Sequence, residues 1–468
     1  MDLDLTLAPS SAPPSALVTG AGSGAGDASD PDYFPGLAVA IPLGIQHVLA
    51  MFVSNLTPAI IVAGAAGFGF GSRDAGELVY MIQMSMLFAG IATLLQTVGI
   101  GPIGARLPLV QGTSFAYISI MVPMVAGKGV GAMAALTTAA LCGGLFHTVM
   151  SRFVGKVRAA LPPLVTGLVV LMIGLSLMRV GVEYSAGGVP AIGTAAFGSG
   201  TSWALAGVVV LVTLGLNFFG RGIWSTASVL IGLLAGYGAA AAMGRISFAA
   251  VGTADWFMVP QPFHFGIAFV PSSILAFCLI GFVSSIESIG DVEAISQGNM
   301  RRRATDRELI GAVGADGVGT ALSAVFGAMP NTTFSQNVGL IAMTGMMSRH
   351  VVSIGAGFLI LCGLLPKIGA AITTIPIEVL GGGVIVMFGM VASSAVAMLS
   401  SVEWNQRNRL IFAIALSVSL GLQLEPDALA HLPETWRVLL TSGVLPAAVI
   451  AVTLNLALPG RVSPQGHG

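Results

Sequence analysis

The segment Gly167-Leu-Val-Val-Leu-Met-Ile-Gly174 aligns without gaps with Gly382-Gly-Val-Ile-Val-Met-Phe-Gly389, which lies 215 residues further along the chain. Four of the eight positions are identical, and the other four are apolar in both segments. Apolar helices resemble one another, so the identities alone are weak evidence. The offset carries more weight, because it is close to half of the 468 residues. The repeat therefore predicts a chain built from two related halves.

Each half also contains an apolar stretch that begins with a proline and continues with polar and β-branched residues. The first is Leu107-Pro-Leu-Val-Gln-Gly-Thr-Ser-Phe115, and the second is Met329-Pro-Asn-Thr-Thr-Phe-Ser-Gln-Asn337. Polar backbone at membrane depth is tolerated only where it lines a cavity or is buried in protein. We therefore predict two extended segments face to face at mid-membrane. Each would lead into a half-helix whose N-terminal N–H groups point at a site.

The composition is that of an integral membrane protein. Hydrophobic residues make up 55% of the chain and charged residues only 8%, with a mean hydropathy of +0.91. A soluble domain carries about 25% charged residues, so this chain has too few charged residues to cover a soluble surface. The net charge of −1 gives no electrostatic footprint for nucleic acid. The three cysteines have no metal-binding spacing, so we predict neither a metal nor a cofactor.

Apolar runs separated by polar breaks predict fourteen membrane spans, since a helix needs about 20 apolar residues to cross the bilayer. With the N-terminus inside, the loops on the inner side hold 13 of the 19 Lys and Arg residues, which fits the positive-inside rule. Seven spans per half is an odd number, so the second half would be inverted in the membrane. The predicted spans are 37–64, 78–99, 108–126, 131–150, 162–180, 203–219, 223–243, 271–292, 308–326, 334–346, 350–366, 372–396, 408–422 and 438–457.

Two segments fall outside these spans. Residues 1–35 are rich in Ala, Ser, Gly and Pro, contain no Lys or Arg, and have no long apolar core, so a secretory signal is excluded. We predict a disordered cytoplasmic N-terminal tail over 1–35. Residues 461–468 are predicted to form a short cytoplasmic C-terminal tail. The protein is thus expected in the cell membrane, with both termini in the cytoplasm.

Two acids stand inside an apolar span in Ser284-Ser-Ile-Glu-Ser-Ile-Gly-Asp291. A charged residue at the centre of a membrane helix costs about 2.5–3.5 kcal/mol on insertion scales, so such residues are usually functional. The spacing of four places Glu287 and Asp291 on one helix face. Two acids so close repel each other, so one of them is expected to bind a proton readily. This pair suits proton coupling; the alternative is a structural pair bonded to neighbouring helices.

Three further intramembrane polar residues are open to two interpretations each. Asp316 could support the site through hydrogen bonds or could cap a local helix break. Gln46 and His47 lie together in the first span, where they could belong to a site network or be satisfied core residues.

The second half-helix begins with Ser335, Gln336 and Asn337. A carboxamide offers both a donor and an acceptor, so Gln336 together with Glu287 could read the polar edge of a flat heterocycle. Phe115 could stack on the face of the same ring; the alternative for Phe115 is ordinary core packing.

These residues resemble the nucleobase–ascorbate transporter family, also called the nucleobase:cation symporter-2 family. The family signature is Gln, Glu or Pro, then Asn, any residue, Gly, any four residues, Thr, and Arg, Lys or Gly. Here it reads Gln336-Asn337-Val338-Gly339-Leu-Ile-Ala-Met-Thr344-Gly345, with every fixed position matched. The resemblance extends to Gln46-His47, Gln111-Gly-Thr-Ser-Phe-Ala116 and Glu287-Ser-Ile-Gly-Asp291, and so covers nearly the whole chain.

The resemblance implies an all-α membrane protein of fourteen spans in two inverted seven-span repeats, with short extended segments in spans 3 and 10. Spans 1–4 and 8–11 would form a core domain, at 36–150 and 246–367. Spans 5–7 and 12–14 would form a gate domain, at 151–245 and 368–460. The gate domain would mediate a homodimer, and the core would move against it in an elevator-like manner.

The resemblance also implies roles for individual residues. Glu287 would accept hydrogen bonds from ring N–H groups, Gln336 would make the paired amide contact, and Phe115 would stack. Backbone N–H groups of Ala116 and Ser335 would bind exocyclic oxygens. The supporting and coupling network would comprise Asp291, Asp316, His47 and Asn337.

Two positions bear on the substrate. Uracil-type members carry Glu where this chain has Gln336, which is typical of purine members. Ser114, just before the stacking aromatic residue, is smaller than the Asn of xanthine-restricted members and resembles members that accept urate. The sequence therefore favours xanthine and uric acid carried with a proton, and a uracil or other nucleobase permease is the alternative.

Rival classes are less compatible with the sequence. An anion exchanger of the same seven-plus-seven fold usually carries a cytoplasmic regulatory domain after its last span, and central acids disfavour an anion site. An enzyme is disfavoured because the chain has no HExxH, no GxSxG and no convincing protease pair. A channel seldom needs paired central carboxylates with two broken helices.

Overall fold

The computed structural model describes residues 27–70, 72–157 and 161–459. Residues 1–26 of the predicted N-terminal tail and all of the predicted C-terminal tail lie outside the described residues. The described chain is almost entirely helical. The helices are α1 Leu37–Ala66, α2 Ala75–Val98, α3 Ile118–Val125, α4 Met133–Met150, α5 Val154–Val157, α6 Pro163–Ser185, α7 Gly200–Phe219, α8 Ile223–Thr226, α9 Ser228–Ala242, α10 Ala249–Thr253, α11 Pro271–Gly298, α12 Asp306–Val325, α13 Ser335–Thr344, α14 Arg349–Leu364, α15 Pro366–Thr373, α16 Ile377–Leu399, α17 Gln406–Leu424, α18 Glu434–Thr441 and α19 Val444–Ala457.

Within the described part of the chain, eight helices are long and apolar enough to cross a membrane. They are α1, α2, α4 with its flanking turns, α6, α7, α11, α12 and α16. A ninth crossing results if α14 and α15, which meet at an angle of 78°, form one bent span. Each of the fourteen predicted spans overlaps a helix, or a strand followed by a helix. The chain is therefore a multi-pass helical membrane protein, while the full count of fourteen crossings stays a prediction.

The two extended segments predicted from the prolines are present as short strands that pair with each other. Strand β1, Gln111–Thr113, runs antiparallel to β2, Asn331–Thr333. Each strand leads into a short helix, α3 or α13, so both stretches are broken as expected. A Cβ on Gly112 would lie only 1.9 Å from the ring of Phe334, so the close approach of the two stretches requires glycine there.

The repeat segments lie in α6 and α16, and these two helices pack against each other along their length. Glycines spaced by seven residues on α6 let the backbones approach closely, as small residues do between membrane helices. The contacting residue numbers fall on α16 as they rise on α6, so the two helices are antiparallel, as an inverted repeat requires. The contacts are Gly167 with Leu399, Gly174 with Ala392, and Gly181 with Ile385.

The helices pack in two groups. One group contains α1, α2, α4, α11, α12 and α14, and the other contains α6, α7, α9, α16, α17 and α19. Contacts within each group are far more extensive than those between groups, where α1 meets α9 and α16, and α11 meets α6 and α19. The strands β1 and β2 pack on the first group.

Residues 27–35, which the sequence analysis assigned to the tail, form turns against the start of α14. The N–H groups of Met347 and Arg349 donate to the carbonyl oxygens of Ala28 and Pro31. The Arg349 guanidinium also lies 2.5 Å from a carboxylate oxygen of Asp32. This part of the chain is thereby fixed to the first helix group.

Replacing Gly174 with valine is expected to destabilise the protein by about 1–3 kcal/mol, because a Cβ there would lie 2.9 Å from the backbone nitrogen of Ala392. Gly389 is the matched control, since it occupies the same position of the repeat on α16 and a Cβ there meets nothing within 4 Å. The apparent melting temperature of each purified variant in detergent measures the effect. Equal losses for Gly174→Val and Gly389→Val would contradict the proposed close contact.

Candidate functional site

Strand β1 is held in place by polar side chains from α1 and α2. The N–H group of Gln111 donates to Thr93 Oγ1 over 2.9 Å. The N–H group of Thr113 donates to Asn55 Oδ1 over 2.9 Å, and its hydroxyl donates to the Asn55 carbonyl oxygen over 2.5 Å. These bonds satisfy backbone groups that pairing with β2 leaves free. Sequence reasoning missed Asn55 and Thr93, although a polar residue within an apolar helix is itself a signal.

Strand β2 is anchored in the same manner by the other half of the chain. The N–H group of Asn331 donates to Thr320 Oγ1 of α12 over 3.0 Å. The hydroxyls of Thr333 and Ser335 donate to the two carboxylate oxygens of Asp291 on α11, each over 2.7 Å. Asp291 thus holds the end of β2 and the start of α13 in a fixed position. Asn55 on α1 holds β1 in a comparable manner.

Asp316 lies in the interior of α12 and is completely buried. One carboxylate oxygen accepts a hydrogen bond of 2.5 Å from the Gln111 side-chain amide. The other accepts a hydrogen bond from the Ser288 hydroxyl. Of the two interpretations offered above, these contacts match hydrogen-bonded support, because Asp316 joins β1 to α11 across the centre of the first helix group.

A closed cavity lies where β2, α11 and α13 face α6 and α16. Four of the predicted site residues line it: Phe115, Glu287, Ser335 and Gln336. Its volume is only about 20 Å³, roughly the room that one water molecule needs. The walls are therefore closed around a narrow slot. The other lining residues are Val170, Ile173, Thr332, Thr333, Phe334, Met390, Val391 and Ser394.

The wall from α6 and α16 was not predicted from the sequence. It comprises Val170 and Ile173 on α6 and Met390, Val391 and Ser394 on α16. Both α6 residues lie inside the repeat segment Gly167–Gly174, so the internal repeat was a usable signal for this wall.

Glu287 contributes an acceptor with no partner. Among the described residues, its Oε2 atom is inaccessible to solvent and has no hydrogen-bond partner. The described residues that line the cavity include no Lys or Arg. A buried carboxylate without a donor or a cation is costly, so this oxygen is available to N–H donors of a bound molecule.

Phe115 is held by two other aromatic rings. Its ring makes edge contacts with Phe388, with centroids 5.3 Å apart, and with Phe334, with centroids 6.3 Å apart. Such edge-to-face contacts are the favoured geometry of aromatic pairs, so the ring orientation is fixed before any ligand binds.

The neighbours of Phe115 lie behind the cavity and do not line it. Ser114 and Ala116 are completely buried. The Ser114 N–H group donates to the Pro330 carbonyl oxygen over 2.7 Å, which ties the two broken stretches together. The Ser114 hydroxyl has no partner among the described residues.

The remaining predicted residues divide into two places. Asn337 on α13 donates to the His47 carbonyl oxygen over 3.0 Å and lies 3.1 Å from His47 Nδ1, so these two form a buried pair between α1 and α13. Gln46 is apart from this pair. Its amide nitrogen donates to Thr226 Oγ1 over 2.9 Å, which links the first helix group to α8.

A second cavity lies along α6, α11 and α16, one to two helical turns from the first cavity. It has a volume of about 440 Å³. Its polar lining includes Thr166 on α6, Glu293 and Gln297 on α11, and Ser401 just after α16. The methyl end of Met398 lies close to Gly290, and both residues line this cavity.

Comparison with known proteins identifies relatives over most of the chain. Residues 39–427 match the family model described as "Permease family" (Xan_ur_permease). A uric acid permease of Bacillus subtilis is 38% identical, over 88% of this chain and 91% of its own length. A xanthine permease of Escherichia coli K12 is 36% identical, over 91% of this chain and 93% of its own length. The match confirms the predicted family resemblance and the interpretation as a transporter.

Two solved structures share the fold at low sequence identity. The transmembrane domain of a cyanobacterial bicarbonate transporter has a TM-score of 0.53 and 13% identity, and the alignment covers 89% of this chain and 97% of that one. A murine anion transporter of solute carrier family 26 has a TM-score of 0.61 and 10% identity, over 91% of this chain and 68% of that one. At this identity the likeness concerns the fold alone.

Replacing Asp316 with alanine is expected to lower the free energy of unfolding by about 1–3 kcal/mol, because the buried side-chain amide of Gln111 would lose its acceptor. Asp316→Asn should cost less. Its remaining oxygen can accept from Gln111, and the Ser288 hydroxyl can turn to accept from its new amide. Melting temperatures of the two purified variants test this order, and an alanine variant as stable as the asparagine variant would refute it.

Proposed function

Because the chain belongs to the permease family matched over residues 39–427, we propose that it imports a purine nucleobase, xanthine or uric acid, together with a proton. One observation carries the proposal: Glu287, Gln336 and Phe115, on three separate stretches of the chain, line one closed cavity. The names of the Bacillus subtilis and Escherichia coli relatives indicate the same substrates.

The cavity supplies the contacts that a flat heterocycle needs. The unpartnered oxygen of Glu287 accepts from ring N–H groups, and the Gln336 carboxamide donates and accepts along the same edge. Phe115 stacks on the ring. Ser335 begins α13, and the first N–H groups of a helix have no partner within it, so they suit an exocyclic oxygen. The family resemblance gives the N–H group of Ala116 the corresponding role before α3, although Ala116 lies behind the cavity in this conformation.

Two residues favour a purine that carries several oxygens. Gln336 presents a neutral amide where a carboxylate would suit uracil. Ser114, which packs behind Phe115, is smaller than the Asn of xanthine-restricted members, and this resemblance to urate-accepting members favours uric acid as a substrate. Uracil or another nucleobase is the alternative substrate.

Proton coupling rests on the carboxylates of the first helix group. Glu287 and Asp291 lie one turn apart on α11, and the hydroxyls of Thr333 and Ser335 connect Asp291 to the start of α13. A proton bound to Glu287 would neutralise its carboxylate and so remove the free-energy cost of a charge within the membrane. Asp316, Gln46 and the pair formed by His47 and Asn337 complete the proposed network.

The two helix groups correspond to the core and gate domains at the proposed boundaries 36–150 with 246–367, and 151–245 with 368–460. The cavity lies between them, and the second cavity extends toward the predicted cytoplasmic ends of α6, α11 and α16. Elevator-type movement of the core past the gate would open the slot on alternate sides. The gate would form the homodimer contact, in a cell membrane with both termini in the cytoplasm.

Glu287→Gln is expected to abolish uptake of labelled xanthine, because an amide nitrogen would face ring N–H donors and no proton could be carried. Glu293→Gln is the matched control on the same helix, since Glu293 lines the second cavity and not the first. Counterflow in proteoliposomes, which needs no ion gradient, measures the exchange step. Normal counterflow by Glu287→Gln would remove Glu287 from the binding site.

Gln336→Glu is expected to weaken xanthine binding roughly 10- to 100-fold, since it replaces a donor by a charge facing an oxygen-rich ring. Competition of labelled xanthine uptake by uric acid, uracil, guanine and hypoxanthine measures selectivity. In the wild type we expect uric acid to compete and uracil not to, and a protonophore to stop accumulation. Wild-type xanthine kinetics in the variant would contradict the role of the amide.

A further inference from the structure

A groove of about 540 Å³ lies at the boundary between the two helix groups, away from the binding cavity. Its walls are α1 of the first group, α9 and α16 of the second, and the bent helix α15. The lining is almost entirely apolar and includes Phe52, Leu56, Leu233, Ile372 and Leu380. Its α1 wall, from Phe52 to Ile60, lies within a span, which places the groove at the depth of the hydrocarbon.

The few polar side chains in the groove are bonded within the protein. The Thr57 hydroxyl donates to the Val53 carbonyl oxygen over 2.8 Å, within α1. The Tyr237 hydroxyl lies 2.7 Å from Thr374 Oγ1. The donors of these two hydroxyls are thus in use, which leaves only their oxygens as acceptors, and water would lack the two to four partners that it needs.

An empty groove of this size would also be unfavourable. Its lining would lose dispersion contacts on one side, and an acyl chain from the bilayer restores them. The groove is open along its side, and Leu234 and Phe248 at its edge are 60% and 63% exposed. A lipid chain can therefore enter from the surrounding membrane.

One end of the groove has a cation at the level expected for lipid head groups. Lys367 lines the groove at the start of α15, and α15 turns away from α14 by 78°. The Lys367 ammonium donates one hydrogen bond, to the Val251 carbonyl oxygen, and lies 4.9 Å from the centre of the Trp256 ring. An ammonium has three donors, so it can also reach a phosphate. Trp256 is 75% exposed, as is typical of residues at the membrane interface.

We propose that this groove binds one phospholipid, with an acyl chain between α1 and α9 and the phosphate at Lys367. The lipid would fill the boundary where the two helix groups make few direct contacts. The groove is separate from the central cavity, because none of its lining residues lines that cavity.

Native mass spectrometry of the purified full chain, after delipidation and return of a phosphatidylglycerol, tests the proposal. We expect the wild type to retain one phospholipid per chain. Ala371→Trp should lower this retention roughly tenfold, because the indole would fill the groove that buries the acyl methylenes. Lys367→Gln should lower it less, because the apolar groove remains.

Ala397→Trp is the matched control, since Ala397 is exposed on α16 and does not line the groove. Leu234→Trp is a second blocking variant, in case Ala371→Trp fails to fold. Absence of retained lipid in the wild type, or equal retention in the blocking and control variants, would overturn the proposal. Neither result would bear on nucleobase uptake, which is measured separately.

Discussion

The need to satisfy the backbone of two strands of three residues each constrains the centre of this protein. At membrane depth no water is present to bond free backbone groups, so β1 and β2 must find every partner within the protein. They bond to each other and to Asn55, Thr93 and Thr320 on the surrounding helices. This requirement explains why polar residues occupy the middle of otherwise apolar helices. It also explains why the two halves of the chain, far apart in sequence, meet at one point.

The same constraint produces the central cavity. Because the strands end where α3 and α13 begin, residues at both breaks come together, and Glu287 on α11 faces them. Asp291 and Asp316 are occupied in holding β2 and β1 in place. Glu287 differs from them, because one of its oxygens has no partner among the described residues. Of these three carboxylates, two are bonded within the protein, and only Glu287 has an oxygen without a partner among the described residues.

The second helix group supplies the mostly apolar wall of the central cavity, and its helices α6 and α16 pack closely through glycines. Glycines on α6 allow a close antiparallel contact with α16, so these two helices pack as one unit. Few contacts join the two groups, and most polar bonds lie within a group. One exception is the hydrogen bond from the Gln46 side-chain amide on α1 to Thr226 Oγ1, which joins the first helix group to α8. The proposed lipid groove lies on that same boundary, where direct protein contact is sparse.

The sequence alone determined the membrane class, the broken stretches at their prolines and the family, because hydropathy, proline position and the signature Gln336–Gly345 are local properties. It also named Glu287, Gln336 and Phe115, which the structure brings to one cavity. Only the tertiary structure separated Gln46 from His47, placed Asp316 between Gln111 and Ser288, and revealed Asn55, Thr93 and the wall from α6 and α16. Those features depend on which residues face each other across helices, and apolar helices have no sequence pattern that fixes their neighbours.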